Sequence, residues 1–325
     1  MPSLYKTILW NAWTIAWRAK WLWFFGFFAA FMGSGGHIDI LFNADALAGI
    51  EPSIASLKSY AADGSLLTFL TGLDEGLRAN IGSTLLVGLL ITVVTIIVVW
   101  IVSVSQVALI YGANKLRRQE KVDYTLAFAA GRHHALRVIG LNAIAKIVAY
   151  GLLVAMAAPL VAQITVHGAA LFWELAFIIS YLVLFTVISI ITFYATTTIV
   201  LEGKDVPHAI SRGWELFRTR WLVNVEFAFI LVAVNILGAL TFLLALFLAA
   251  IPIFLLALVF TFVASEAGLF LVISVGLLLL VVLTASYSAL LATYQHAAWV
   301  LLYRELSAGR GIAKLVRLFA AGPPK

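Results

Sequence analysis

The sequence predicts an all-α fold: a polytopic bundle of membrane helices with about six spans in three hairpins, each hairpin preceded by an amphipathic interfacial helix. Three observations predict it. The 325 residues are 63% hydrophobic and 11% charged, with mean hydropathy +1.07, whereas an average soluble domain is about 25% charged. Nothing is charged between Arg78 and Lys115, between Glu174 and Glu202, between Glu226 and Glu266, or between Glu266 and Arg304, and each run exceeds the roughly 20 apolar residues that cross a bilayer core. Finally, the Lys and Arg residues cluster between these runs. A transmembrane barrel is excluded because its strands alternate over about ten residues, while residues 85–102 are apolar throughout except for threonine and glycine.

The charge pattern predicts the topology. Four segments, 1–20, 112–137, 202–220 and 304–325, hold 18 of the 21 Lys and Arg residues, while 33–82 carries Lys58 and Arg78 against six acidic residues. Basic residues flanking spans favour the cytoplasm. The chain 1–325 is therefore read as one integral domain of the cell membrane with both termini cytoplasmic. In it, 1–20 is an interfacial helix, 33–82 an extracytoplasmic loop, 112–137 and 202–220 cytoplasmic amphipathic segments, and 304–325 a basic cytoplasmic tail. Spans are expected near 19–33, 84–110, 138–163, 171–200, 221–248 and 268–300.

Two of these spans are awkward. Residues 21–32 make only about 18 Å of helix, so the first span either starts deeper, with Arg18 and Lys20 reaching back to the headgroups, or is partly inserted. Residues 221–264 are too long for one straight span, and Pro252 is expected to break them, leaving 253–264 as a half-helix or re-entrant piece.

A repeat runs through the chain. Trp17-Arg18-Ala19-Lys20-Trp21 matches Phe217-Arg218-Thr219-Arg220-Trp221, and Leu136-Arg137-Val138 stands in the equivalent middle place. Asp123 and Asp205 occupy helix N-cap positions, and Pro207 fits a first helical turn. Trp10, Trp13, Trp17 and Trp21 recur at spacings of three and four, so their indoles share one helix face. Indoles favour the headgroup level, and with basic neighbours they mark an interfacial helix, in preference to a face packed on other helices. Trp10, Trp13, Trp17, Arg18, Lys20, Trp21, Arg132, Arg137, Arg218, Arg220 and Trp221 are the expected headgroup contacts. Together they form a collar that attracts anionic lipid at roughly 1 kcal/mol per exposed charge near the surface.

Ionisable groups inside a membrane are costly, so Lys146 and Glu226 stand out. Asn142, Lys146 and Tyr150 form an i, i+4, i+8 stripe, and Glu226 lies at a similar depth. A Lys146–Glu226 pair is expected, read first as structural or as two side chains reaching the inner interface, and second as a proton or substrate relay. Thr92, Thr95, Ser103 and Gln106 share a face of the second span. Thr284, Ser288 and Gln295 do so on the last, with His296 beside them, and interhelical hydrogen bonding accounts for such groups. Cysteine is absent, so disulfides and thiolate chemistry are excluded. The N-terminus lacks the cleavage pattern of a signal peptide. His133 and His134 diverge on a helix, and His37 with Asp39 lacks further ligands, so no metal site is expected. No phosphate-binding loop, dinucleotide fingerprint or nucleophile elbow occurs. The pI of about 9.5 follows from topology, so nucleic acid is not implied.

The segment Val200-Leu201-Glu202-Gly203-Lys204-Asp205-Val206, with Ala209 and Trp214-Glu215-Leu216-Phe217, resembles a signature of the membrane domain attached to some bacterial glycerophosphodiester phosphodiesterases and of related stand-alone six-span proteins. There a span ends in a similar acidic-glycine step and an amphipathic helix follows. The opening Ala12 to Trp23 is also similar to those stand-alone proteins. The motif covers about 20 residues and the shared architecture most of the chain. The catalytic barrel and its signatures have no counterpart here, so the resemblance implies a membrane module without hydrolase residues. The expected function is a non-enzymatic accessory, scaffolding or lipid-organising protein without a cofactor, with anionic lipids and a protein partner or second copy as partners. The alternatives are a transporter or channel for a small or amphipathic solute and, third, a lipid-modifying enzyme.

Overall fold

A computed structural model describes residues 4–31, 81–163, 170–263 and 266–309. Among them the chain forms eight helices: α1 (Leu4–Arg18), α2 (Leu22–Phe31), α3 (Ile81–Arg117), α4 (Tyr124–Gln163), α5 (Ala170–Glu202), α6 (Val206–Thr219), α7 (Trp221–Phe262) and α8 (Glu266–Ser307). Five stretches are long and apolar enough to cross a membrane: Leu85–Arg117, Tyr124–Met156, Ile178–Glu202, Trp221–Phe262 and Glu266–Ser307. The chain divides into two units, residues 36–101 and the remainder. The described part of the smaller unit is the start of α3, where Leu85, Leu89 and Ile96 are exposed and Thr92 and Thr95 bond to Gly88 and Ile91 of their own helix.

In the larger unit the packing is concentrated toward the basic ends of the helices. Its buried core joins Tyr5, Ala12 and Ala16 of α1, Leu22 and Phe25 of α2, Leu109 of α3, Tyr194 of α5, Phe227 of α7 and Trp299 and Tyr303 of α8. This core also buries polar groups, and several of them are paired, while Asn224 Nδ2 has no hydrogen-bond partner among the described residues. Tyr194 donates to Asn224, and Tyr303 donates to Glu202 at 2.7 Å. Arg304 Nε donates to Asn114 Oδ1 at 2.8 Å, and Gln295 donates to Asn235 at 2.6 Å. Away from this end, Leu240, Leu244, Phe247, Phe254, Phe270 and Leu278 all face outward.

Helices α7 and α8 run antiparallel. Asn235 meets Gln295, Phe242 stacks on Tyr287 with ring centroids 4.2 Å apart, and Ile253 and Phe260 lie where a Cβ on Gly276 or Gly268 would stand. Asn235 and Gln295 are buried together, so removing one amide strands the other. Asn235→Leu is expected to cost about 1 kcal/mol, and Asn235→Leu with Gln295→Leu less than that single change. Unfolding of the three variants in mixed micelles checks the order, and a double variant costing the sum of the two singles contradicts it.

In or just after each of the first three basic segments, a glycine lies against a neighbouring long helix. Gly26 of α2 abuts Ala289 and Thr293 of α8, Gly131 of α4 abuts Val104 of α3, and Gly213 of α6 abuts Ile191 of α5. The junctions differ. Between α1 and α2 a single turn intervenes, with Leu22 N–H to Ala19 O and Trp23 N–H to Lys20 O, and between α6 and α7 the break is at Arg220. The middle segment has no break, because Ala127, Gly131, Ala135, Val138 and Leu141 continue one buried stripe through it. The expected separate amphipathic segment at 112–137 is therefore shared between α3 and the first turns of α4.

Asp123 and Asp205 do occupy N-cap positions. Their backbone carbonyls accept from Ala127 and Ala209, Pro207 lies in the first turn of α6, and Asp205 makes no side-chain cap bond. Gly203 ends α5 in a left-handed conformation, φ +69°, which glycine adopts without a Cβ penalty. The α3–α4 connection turns at Gln119, φ 58°, and is held by Lys115 on Glu120. The Lys115 ammonium keeps the Glu120 carboxyl below its usual range, so this contact is present at neutral pH and lost as acid protonates Glu120.

One sequence expectation is corrected. Pro252 lies inside one continuous helix of 42 residues. It forfeits one backbone bond, and α8 packs alongside it at Gly276, so no break or re-entrant piece at 253–264 results. The first expected span, 19–33, contains α2, described over ten residues, or about 15 Å, half the hydrocarbon thickness. The 33–82 loop with His37 and Asp39, apart from the first residues of α3, and the tail beyond residue 309 lie outside the described residues.

Candidate functional site

A groove of about 1300 Å³ lies between α1, α7 and α8. Helix α1 contributes Tyr5, Leu9 and Trp13 at helical spacing, with Lys6 and Trp10 beside them. Helix α7 contributes one face from Glu226 through Ile230, Val234, Gly238 and Thr241 to Ala245, and α8 contributes Tyr287, Leu290, Leu291 and Tyr294. From Glu226 to Ala245 the groove follows about 28 Å of helix. Trp10 and Trp13 line it and are 68% and 44% exposed, so the groove opens sideways along α1.

Its polarity is graded. The two charged side chains of the described lining, Lys6 and Glu226, are at one end. There the Tyr5 hydroxyl donates to Glu226, tying α1 to α7, while the Tyr5 ring packs on Phe227 at 6.1 Å. Trp13 stacks on Trp17 at 5.6 Å and meets the Tyr294 ring edge-on at 6.2 Å. Beyond these the walls are apolar until the Tyr287 hydroxyl, which lies buried opposite Gly238 with no hydrogen-bond partner among the described residues. Ligand pockets of drug size run about 300–1,000 Å³ with mostly apolar walls and a few placed polar groups. This groove is larger, longer and polar at one end, which is the shape of an amphiphile.

The sequence-selected polar residues are dispersed. Glu226 is in the groove, bonded to Tyr5. Lys146 is exposed on α4 and makes no ion pair among the described residues, so the expected Lys146–Glu226 pair does not form. Similar depth on two helices does not make those helices neighbours. Asn142 donates to Gln106 at 3.0 Å, and Tyr150 is exposed. Gln295 is committed to Asn235. His296 is buried, with its Nδ1 2.9 Å from Ala292 O and its ring 5.8 Å from Phe193, a structural role.

The headgroup set is outward-facing: Trp10, Trp13, Trp17, Arg18, Lys20, Arg132, Arg137, Arg218 and Trp221 are exposed, and Trp21 and Arg220 are half-buried. Arg137 and Arg220 also reach backbone carbonyls of Gly203 and Gly309, at 3.5 and 3.3 Å. Among the described residues no group of three His, Cys, Asp or Glu is placed to hold a metal ion. Tyr5, Lys6, Tyr287 and Tyr294 were not singled out by the sequence; the i, i+4 spacing of Tyr5, Leu9 and Trp13 was the available signal.

Comparison with protein-family models finds no match, and no curated protein or solved structure is significantly similar to the chain. The fold and groove define an all-α protein with five helices able to cross a membrane and a one-sided, amphiphile-shaped recess.

Proposed function

We propose that this chain is a non-enzymatic, lipid-organising protein of the cell membrane that holds a lipid in the lateral groove. Six crossings in three hairpins, the sixth formed around 19–33, place both termini and the basic segments in the cytoplasm, in accord with the Lys and Arg distribution. In this placement the polar-cored ends of the helices form a platform at the inner interface. Residues 235–262 and 266–293 are each about 42 Å long, close to a bilayer with its headgroup regions, about 40–45 Å. The exposed arginines, lysines and indoles then form a collar that attracts anionic lipid. The resemblance to the phosphodiesterase-linked membrane domain is carried as part of the proposal, as likeness to a membrane module.

The observation that carries the reading is the groove, whose polar end meets the platform and whose apolar length descends into the bilayer. Native mass spectrometry of the purified full chain tests it. A lipid mass is expected to stay bound through mild detergent exchange, and Val234→Trp or Ala245→Phe, which fill the groove, should release it while helix content is unchanged. A chain that carries no lipid, or filled variants that carry as much, sinks the reading.

A second reading, carriage of an amphiphile between leaflets, is favoured by the groove's sideways opening along α1. Proteoliposomes with fluorescent lipid in one leaflet separate the two: leaflet exchange above the protein-free rate supports carriage, and exchange at that rate supports holding alone.

A further inference from the structure

We infer that His133, His134 and Arg137, near the start of α4, form a site within the collar for a phosphate monoester, supplied by a lipid headgroup such as that of phosphatidic acid. The inference rests on the collar lying at the headgroup level and adds one headgroup class to it.

The arrangement of the three side chains carries it. Arg137 follows His133 by four residues and His134 by three, so the three share one side of the helix. The two imidazoles meet edge-on with centroids 4.7 Å apart. His133 and Arg137 are exposed and His134 is half-buried. All three lie just ahead of residue 138, where the third expected span begins, which sets them at the depth of lipid phosphates.

The cluster has positive neighbours and lacks a described negative one. The groups that act electrostatically on His134 are His133 and Arg137, both basic. None of the three forms an ion pair among the described residues. Like charges at this spacing repel, and an anion from outside the protein relieves them. His134 Nδ1 is buried with no hydrogen-bond partner among the described residues, whereas the structural His296 sets its Nδ1 on Ala292 O. Arg137 Nη1 is 3.5 Å from Gly203 O, and a guanidinium has five N–H donors, so this contact steers the arm and leaves donors for a ligand.

The donor set favours a monoester. A phosphate monoester carries nearly two negative charges and three strong acceptor oxygens, while the diester of phosphatidylglycerol carries a single charge and one acceptor fewer. Two imidazoles and a forked guanidinium match the monoester. Arg18, Lys20 and Arg218 have no histidine within four residues and suit any anionic lipid by charge alone.

The test reconstitutes the full chain in nanodiscs of zwitterionic lipid holding phosphatidic acid and phosphatidylglycerol at equal mole fraction with matched acyl chains. The chain is extracted gently and the retained lipid read by native mass spectrometry. The wild type is expected to retain phosphatidic acid about tenfold over phosphatidylglycerol, the worth of one charge-assisted hydrogen bond. His133→Phe, which keeps a ring against His134 without a donor, and Arg137→Gln should each bring that ratio toward one. Arg218→Gln, in the collar but outside the cluster, should lower retention of both lipids and leave their ratio unchanged. Circular dichroism of each variant checks folding. A second arm titrates inorganic phosphate into the chain in purely zwitterionic nanodiscs. Absence of binding there is the expected result and assigns the monoester to a lipid; binding that His133→Phe removes assigns it to a soluble source at the same site. Equal retention of the two lipids with no phosphate binding, or a ratio unchanged in both His133→Phe and Arg137→Gln, overturns the site while leaving the collar anionic-lipid-binding. Retention of neither anionic lipid above the zwitterionic one overturns the collar itself.

Discussion

Trp299→Ala is expected to lower the unfolding free energy in mixed micelles by about 3–5 kcal/mol, the range for emptying a buried large aromatic site. Trp299 of α8 is 6% exposed and meets Phe227 of α7 at 5.2 Å, Phe193 at 6.0 Å and Tyr194 at 6.2 Å, both of α5. Phe227 in turn carries Tyr5 of α1, so one indole joins three helices directly and a fourth through its neighbour. Membrane helices gain little from hiding apolar surface from lipid and rely on close packing, which makes a packing hub disproportionately important. Trp10→Ala is the matched control: Trp10 is 68% exposed, and its loss is expected to cost no more than about 0.5 kcal/mol. Equal costs for the two would mean that the polar-cored end is not a packed core.

Gly26→Val is expected to cost about 3 kcal/mol, the upper part of the range for overpacking, and to loosen α2 from α8. A Cβ at position 26 would stand 2.3 Å from both the Ala289 carbonyl oxygen and Thr293 Oγ1. The carbonyl belongs to the α8 backbone, so relief requires separating the helices, which also breaks the Thr293 hydroxyl contact with Leu22 O at 3.3 Å. Gly140, with nothing within 4 Å of its Cβ position, is the control, and Gly140→Ala should be neutral or slightly stabilising because alanine favours helix. Thermal unfolding followed by intrinsic fluorescence ranks the two. A Gly26→Val protein as stable as Gly140→Ala contradicts the α2–α8 contact.

These effects show which parts of the molecule the chain exposes to reading. The long helices were legible because uncharged runs need only local counting, and the breaks after Arg18 and near Arg220 followed from two nearly matching pentapeptides. The middle junction misled because Leu136-Arg137-Val138 fills the equivalent place, yet the buried stripe from Ala127 to Leu141 carries α4 through it. Pro252 is misleading in the sequence because a proline's local backbone preference carries no trace of α8, which packs alongside at Gly276. The groove was illegible for a different reason: Tyr5 and Glu226 are 221 residues apart, and α7 is apolar around its whole circumference over much of its length, so no periodicity marks the face that turns to α1. Glu226 stands out in the sequence as an acidic group in an apolar run, but its described partner is Tyr5 on α1 and not Lys146.

The central claim is that α7 and α8 cross the membrane as one antiparallel pair, with the basic, polar-cored end on the cytoplasmic side. The chain has no cysteine, so single introduced cysteines report without background. Ser211→Cys on α6 and Val263→Cys at the end of α7, both at exposed positions, should be probed with a membrane-impermeant maleimide on right-side-out membrane vesicles. The account predicts labelling of Val263→Cys in sealed vesicles and of Ser211→Cys only after permeabilisation. Labelling of both, or of Ser211→Cys alone, in sealed vesicles would contradict it.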